Sequence, residues 1–242
     1  MNLLLFTAAD RTDDNCIRLT DRRLQHLLDV HKAKIGDPVR VGEVNGSLGT
    51  GSIIDINAEQ AVLSVTTDTV PPKKLPVEIV LALPRPKMLR RILRSVAEFG
   101  TPTLHLINSY RVEKSYWQTP VLNPDTIRHY LIEGLEQAMD TMLPTVHCHK
   151  RFKPFVEDIF PSIVEGRDAI LAHPGEHPPM TAGTGRRTVL VIGPEGGFIP
   201  YEVEHFQAAG CRTVSLGPRI LRVENAVSKL LSLAAPDSAS TL

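Results

Sequence analysis

The chain has 242 residues, 42% of them hydrophobic, and its 27 Lys and Arg balance 27 Asp and Glu to a formal net charge of zero. Such a chain buries a real core and is long enough for one large or two modest domains, while its even charge excludes the overall positive excess of many nucleic-acid binders, so any such site has to be a local patch. Cys16, Cys148 and Cys211 are scattered without paired spacing, which argues against a disulfide framework and against a zinc site and makes the cytoplasm the expected compartment. MNLLLFTAADR has too short an apolar core for a signal peptide, and no run approaches the roughly 18 apolar residues of a membrane span.

Taken in chain order, the first 72 residues read as a small antiparallel β domain. PVRVGEVNGSLGTGSIIDINAEQAVLSV alternates over short segments broken at Asn45-Gly46, Gly49, Gly51 and Asn57, which is hairpin punctuation. Val70-Pro71-Pro72 and Pro76 resist helix and sheet interior alike, so a stiff linker separates a domain of residues 1–72 from one of 73–242. Strands and helices then alternate: Val77 to Leu83, a helix after Pro86, Leu104 to Asn108, a helix from Asp125 to Asp140, then strands at Ala169 to Ala172, Val189 to Ile192 and Thr213 to Leu216. That alternation predicts an α/β fold. The tail from Pro236 to Leu242 is expected to be disordered.

Charge concentrates in one place. Lys73, Lys74, Arg85, Lys87, Arg90, Arg91 and Arg94 face a single acid, Glu78. On a helix starting after Pro86, Leu89, Ile92, Leu93, Val96 and Phe99 share one face, and Lys87, Arg90, Arg91 and Arg94 fall on the opposite one. A solvated helix surface and an RNA-binding face both fit that pattern.

VLVIGPEGGF is a buried strand stopping in a backbone turn that requires glycine, and the pattern recurs at VSLGP. Paired glycine turns at the carboxyl ends of parallel strands read as a small-molecule pocket. Gly193, Gly196 and Gly197 do not fit the dinucleotide fingerprint G-x-G-x-x-G, and no phosphate-loop motif occurs. An ordinary strand-to-helix turn is the plainer reading of those glycines, with Pro200 and Glu202 at a helix start and Gly210 at its stop. From Ile220 to Leu233 a last helix carries Ile220, Val223, Ala226, Val227, Leu230 and Leu231 as an apolar stripe, with Arg222, Asn225 and Lys229 on another side.

IGPEGGF followed by SLGPRILRVE-x-A resembles the C-terminal signature of the RsmE family of 16S rRNA (uracil-N3)-methyltransferases, within the SPOUT superfamily. HLLDVHKAKIGD, LALPRPKMLRRILRSVAEFG, EGLEQ with Pro144, and LAHPGE match further in the family's order. The resemblance implies a PUA-like β-barrel that helps grip RNA, followed by a SPOUT methyltransferase domain whose C-terminal segment threads a trefoil knot. It implies a homodimer acting on 16S rRNA of the small ribosomal subunit, with no membrane and no metal. S-adenosylmethionine would lie among three loops: Leu171, His173, Pro174 and Gly175; Ile192, Gly193, Pro194, Gly196 and Gly197; and Ser215, Leu216, Gly217, Ile220 and Leu221, with Asn225 beside them. Lys87, Arg90, Arg91 and Arg94 would touch RNA.

Methylating uracil N3 requires loss of a weakly acidic imide proton and stabilisation of negative charge on the flanking carbonyl oxygens. Arg219 or Arg222 suits the charge, and Glu195 or Glu224 the proton. The chain departs from the family pattern with Asn225 in place of threonine, Asp140 in place of arginine and Ser95 in place of lysine, and MNLLLF lacks an arginine common near the family's N-terminus. Three other readings stand beside this one: a SPOUT methyltransferase with a shifted RNA target, a non-catalytic RNA-binding protein, and a metal hydrolase with ligands from His147-Cys148-His149 and His173-Pro174-Gly175-Glu176-His177.

Overall fold

The computed structural model describes residues 2–182 and 185–235, so the tail expected to be disordered lies outside the described residues. The chain forms two compact units, Met1–Lys73 with Leu131–Leu143, and Lys74–Tyr130 with Pro144–Leu242.

In the first unit, β1 (Leu4–Phe6), β2 (Arg11–Asp13), β3 (Cys16–Leu19), β4 (Pro38–Glu43), β5 (Leu48–Ile56) and β6 (Ala61–Thr69) form one sheet in the order β1-β4-β5-β6-β3-β2, with helix α1 (Arg22–Asp29) between β3 and β4. Only β1 and β4 run parallel. Asn45, at φ 62°, turns the chain from β4 into β5. At Gly49 a Cβ would lie 1.8 Å from the Thr66 carbonyl oxygen, so only glycine lets β5 approach β6 there. Phe6, Ile17, Leu19, Leu24, Leu27, Val41, Ile53 and Leu63 fill the core. Arg23 donates to Asp10, to Asp21 and to the Leu5 carbonyl, which ties the start of α1 to β1.

Residues after Tyr130 belong with this sheet for a visible reason. Leu3 N–H donates to the Glu136 carbonyl, the Glu136 carboxylate takes a bidentate grip from Arg22, and Asn45 holds the chain at Thr141 and Leu143. Asp140 is buried and accepts from Met142 N–H at 2.9 Å, so this departure from the family pattern is a turn residue and not a lost surface charge.

In the second unit, β7 (Val77–Ala82), β8 (Thr103–Ile107), β9 (Thr145–His149), β10 (Asp168–Ala172), β11 (Thr188–Ile192) and β12 (Arg212–Val214) build a wholly parallel sheet in the order β12-β10-β11-β7-β8-β9. The helices are α2 (Pro86–Glu98), the first part of α3 (Pro124–Ala138), whose residues from Leu131 belong to the first unit, α4 (Phe152–Pro154), α5 (Phe160–Val164), α6 (Pro200–Ala208) and α7 (Val223–Ala234), and Phe155–Ile159 is a π turn between α4 and α5. The α/β expectation is met: β11 and, apart from Glu78, β7 are apolar runs because a parallel sheet is covered on both faces. Proline at its first position starts α2, and Leu89, Ile92, Leu93, Val96 and Ala97 are its buried face.

Four expectations shift. The strand expected to reach Leu216 ends at Val214, and the helix expected to reach Asp140 ends at Ala138, where Met139 turns left-handed at φ 58°. Phe99 caps α2 from outside the helix. The last helix starts at Val223, so Ile220 belongs to no apolar stripe and stands 86% exposed in the preceding loop.

The expected run of strands does not include β9, an edge strand whose sequence Thr145, Val146, His147, Cys148 and His149 is too polar to read as a buried one. Its histidines meet His105 of β8, which stacks on His147 at 5.1 Å and sets Nδ1 3.2 Å from His149 Nε2. Glu78, paired with Arg167, lies 3.6 Å from His105 Nε2. Among the described residues no group of three His, Cys, Asp or Glu is placed to hold a metal ion, so the hydrolase reading has no site there.

Burial, then the charges of His147 and His149, push His105 down to about 4 against the pull of Glu78. The folded value lies below the ordinary one, so the unfolded chain takes the proton more readily. The neutral ring's contribution to stability is therefore complete above about pH 6.5 and is lost as pH falls toward 4. His105→Leu should narrow the difference in unfolding free energy between pH 7 and pH 4.5 by on the order of 2 kcal/mol in urea titrations; an unchanged difference would show that the acid sensitivity arises elsewhere.

Candidate functional site

Parallel pairing brings the carboxyl ends of β7, β10, β11 and β12 to one edge, where their loops enclose a cavity of about 1070 Å³. This is where open parallel sheets bind ligands. The loop after β10 runs beside β12 and its continuation: His173 N–H donates to Val214 O, Ser215 N–H to Pro178 O, and Met180 N–H to Ser215 O. Gly175 and Gly217 adopt φ 128° and 101°, values open to glycine, so both loops expose backbone to the cavity. Gly217 N–H donates to Ser215 Oγ, and Lys229 Nζ on α7 holds the Leu216 carbonyl at 2.8 Å.

The GPEGGF turn after β11 is clamped from outside. Glu202, only 2% exposed, accepts from Ile199 N–H at 3.0 Å and from Tyr110 N–H at 2.7 Å. Glu195 accepts from Arg85 N–H at the start of α2 at 3.0 Å. Arg111 donates to the Gly196 carbonyl. Gly197, at φ 72°, completes the turn.

The cavity's charged rim comes from the last loop and α7. Arg219 and Arg222 are exposed and line it, as does Glu224 in the first turn of α7. Glu224 Oε1 lies 3.7 Å from Arg91 Nη1, while Oε2 is buried with no hydrogen-bond partner among the described residues. His173, which also lines the cavity, is held below the ordinary imidazole range by burial and by the nearby charges of His177 and Arg111, which favours a neutral ring at neutral pH. Apolar lining comes from Met88, Ile192, Phe198, Leu216 and Leu221.

Residues 71–235 match a family model described as an RNA methyltransferase domain. The ribosomal RNA small subunit methyltransferase E of Treponema pallidum is 30% identical over 234 residues, covering 93% of this chain and 87% of that protein. This chain belongs to the ribosomal RNA small subunit methyltransferase E family. Two crystal structures share the fold. A probable rRNA-methyltransferase from Porphyromonas gingivalis has TM-score 0.73 at 23% identity, over 94% of this chain and 95% of that one. The small subunit methyltransferase E of Neisseria gonorrhoeae, bound to S-adenosyl methionine, has TM-score 0.76 at 16% identity, over 95% of each chain.

Within this family member the structure gathers most of the residues singled out from sequence. His173, Pro174, Gly175, Ile192, Gly193, Pro194, Gly197, Ser215, Leu216, Gly217, Ile220 and Leu221 line the cavity with Glu195, Arg219, Arg222 and Glu224. Three do not. Leu171 is wholly buried inside β10, one residue short of the wall that Ala172 supplies. Gly196 faces the Arg111 side chain, where a Cβ would come within 2.9 Å of Cδ, and Asn225 points to solvent from the exposed side of α7.

Arg85, Met88, His177, Pro179, Phe198, Pro218, Val223 and Ala226 also line the cavity. Arg85 and Met88 follow a parallel strand directly, so the carboxyl-end rule applied to Val77–Ala82 points to them from sequence. Phe198 and Pro179 carry no such signal.

On the basic helix Lys87, Arg90 and Arg91 are exposed. Arg94 is half-buried over the Tyr130 ring at 4.6 Å, and Arg91 turns to Glu224, so the four do not form one uniform free face.

The clamp makes a measurable demand. Glu202→Ala should leave the N–H groups of Tyr110 and Ile199 without their acceptor and lower unfolding stability by about 2–4 kcal/mol, read from urea titration. A loss below about 1 kcal/mol would mean that water replaces the carboxylate at no cost.

Proposed function

We propose that this chain transfers a methyl group from S-adenosylmethionine to N3 of a uridine in 16S rRNA of the small ribosomal subunit. The observation that carries the reading is the meeting, in one cavity of a family member, of two glycine-bent backbone loops with Arg219, Arg222 and Glu224. The donor set suits that cofactor: exposed backbone around Gly175, Gly193 and Gly217 can meet the polar edge of an adenine, and Ile192, Leu216 and Leu221 its faces. When bound, S-adenosylmethionine supplies the methyl on its sulfonium sulfur, and the N3 electron pair freed by loss of the proton forms the N–C bond as the S–C bond breaks and sulfur keeps its electrons.

The remaining chemistry belongs to this chain's own residues. Arg222, at the start of α7, faces negative charge building on the uracil carbonyl oxygens, and Arg219 lies three residues before it. Glu224 takes the N3 proton on Oε2, the carboxylate oxygen that has no hydrogen-bond partner among the described residues. Glu195 is the weaker candidate for that task, because the Arg85 N–H occupies it.

We assign the RNA to the exposed Lys87 and Arg90 of α2 and to the first unit, read as a PUA-like barrel. The C-terminal segment is read as a trefoil knot, consistent with α7 packing against α2 and β11 after the chain has passed β12. A homodimer would cover Ile220, which stands exposed on the cavity wall. With ribosomal RNA as its substrate, we assign the protein to the cytoplasm.

Mass mapping of ribosomal RNA from a strain lacking the gene tests the reading. Loss of a single N3-methyluridine from the small-subunit RNA is expected; unchanged small-subunit RNA would refute it, and loss of a different methylated nucleotide would favour the reading with a shifted target. A non-catalytic RNA-binding protein would leave every modification in place. Contacts of Lys87 and Arg90 with phosphate give affinity without sequence. Lys87→Ala and Arg90→Ala should each weaken RNA binding and reduce the magnitude of the log-log salt slope by roughly 0.7–0.9, and unchanged slopes would return these residues to plain solvated surface.

A further inference from the structure

Among the basic residues of α2, Arg91 stands apart. Its guanidinium, still half exposed, reaches Glu224 Oε1 across 3.7 Å and joins α2 to the first turn of α7. The two helices pack against each other, so the link is short and both backbones are fixed. Glu224 is mostly enclosed, with 14% of its side chain exposed, whereas that of Arg91 remains 53% exposed. As a contribution to stability such a pair is worth little, because solvent screens its outer member. Its geometric effect is larger. With Oε1 turned toward Arg91, Oε2 is left buried and without a partner among the described residues. A carboxylate oxygen left without a hydrogen bond in a buried place is costly, and a ligand N–H donor at that point removes the cost.

We propose that Arg91 is a positioning residue for methyl transfer: it fixes the Glu224 carboxylate so that Oε2 meets the imide N–H of the target base. The proposal rests on the reading of Glu224 as proton acceptor. It reassigns Arg91 from phosphate contact to the reaction centre. The proton passes from N3 to Oε2, the N3 electron pair takes the methyl, and the carboxylic acid returns its proton to solvent after the product leaves. Arg91 forms no bond to substrate. Its loss leaves the carboxylate free to turn among rotamers, and misplacing a reacting group by about an ångström costs on the order of 100-fold.

Single-turnover methylation of small-subunit RNA by Arg91→Ala, Arg91→Lys, Glu224→Gln and the double variant Arg91→Ala/Glu224→Gln tests this, with RNA affinity and its salt dependence measured on the same proteins and S-adenosylmethionine affinity by calorimetry. Arg91→Ala is expected to slow the saturated rate by roughly 10- to 100-fold, with both affinities within about twofold of wild type. Arg91→Lys should recover most of the rate. Two residues acting as one unit are not additive, so the double variant should be no slower than Glu224→Gln alone.

Additive losses overturn the proposal, as does a normal rate for Arg91→Ala combined with weaker RNA binding and a shallower salt slope, which would make Arg91 a phosphate contact like its neighbours. Loss of S-adenosylmethionine affinity in both Arg91 variants overturns it too, as a structural defect. Wild-type protein that does not methylate small-subunit RNA would instead refute the reaction on which the proposal rests, a result separable from all of these.

Discussion

The parallel pairing of β10 with β11 on one side and β12 on the other is the constraint from which the site follows. Parallel strands end on the same edge, so the turns after Ala172, Ile192 and Val214 are forced together although they lie far apart in sequence. Each must then close without covering its neighbour. Glycine backbone at φ 128°, 72° and 101° is what allows three turns to share that edge and still leave a cavity between them. The pairing continues past the strands, where the residues from His173 to Met180 hydrogen-bond to Val214 and Ser215, so two of the cavity's walls form one piece of structure.

The third wall is held by carboxylates used as acceptors for backbone. Glu202 joins the GPEGGF turn to the chain at Tyr110, and Glu195 joins it to the start of α2. Both contacts are charge-assisted hydrogen bonds, stronger than their neutral counterparts. Arg85, Arg219 and Arg222 all line the cavity, while Glu195 and Glu202 nearby are taken up as acceptors for backbone N–H groups.

That division of labour resolves the even charge balance of the chain. The basic helix is local, as a neutral protein requires of any anionic partner's site, yet its four cations differ in use: Lys87 and Arg90 face solvent, Arg94 lies over Tyr130, and Arg91 turns to Glu224. In the first unit the acids are likewise committed, with Asp10 and Asp21 around Arg23 and Glu136 on Arg22. Asp10 is held below the usual carboxylate range, by hydrogen bonds from Arg23 and Thr7 that outweigh its burial.

Sequence by itself determined the alternation of strands and helices after Pro76, the two faces of α2, the glycine turns and the family, because each is written in local periodicity, in φ restrictions or in a contiguous motif. It determined most of the cavity wall for the same reason. Tertiary structure alone decided what depends on contacts between distant segments. Sheet order made β9 an edge strand with a histidine face too polar to read as a strand. Docking of the chain after Tyr130 onto the β4–β5 turn made Asp140 a buried turn residue. A phase difference of one residue put Leu171 inside the sheet and Ala172 on the wall. Finally, the packing of α2 on α7 turned Arg91 from one of four equivalent surface cations into the partner of Glu224, because a helical pattern fixes which face a side chain leaves from and not what waits for it there.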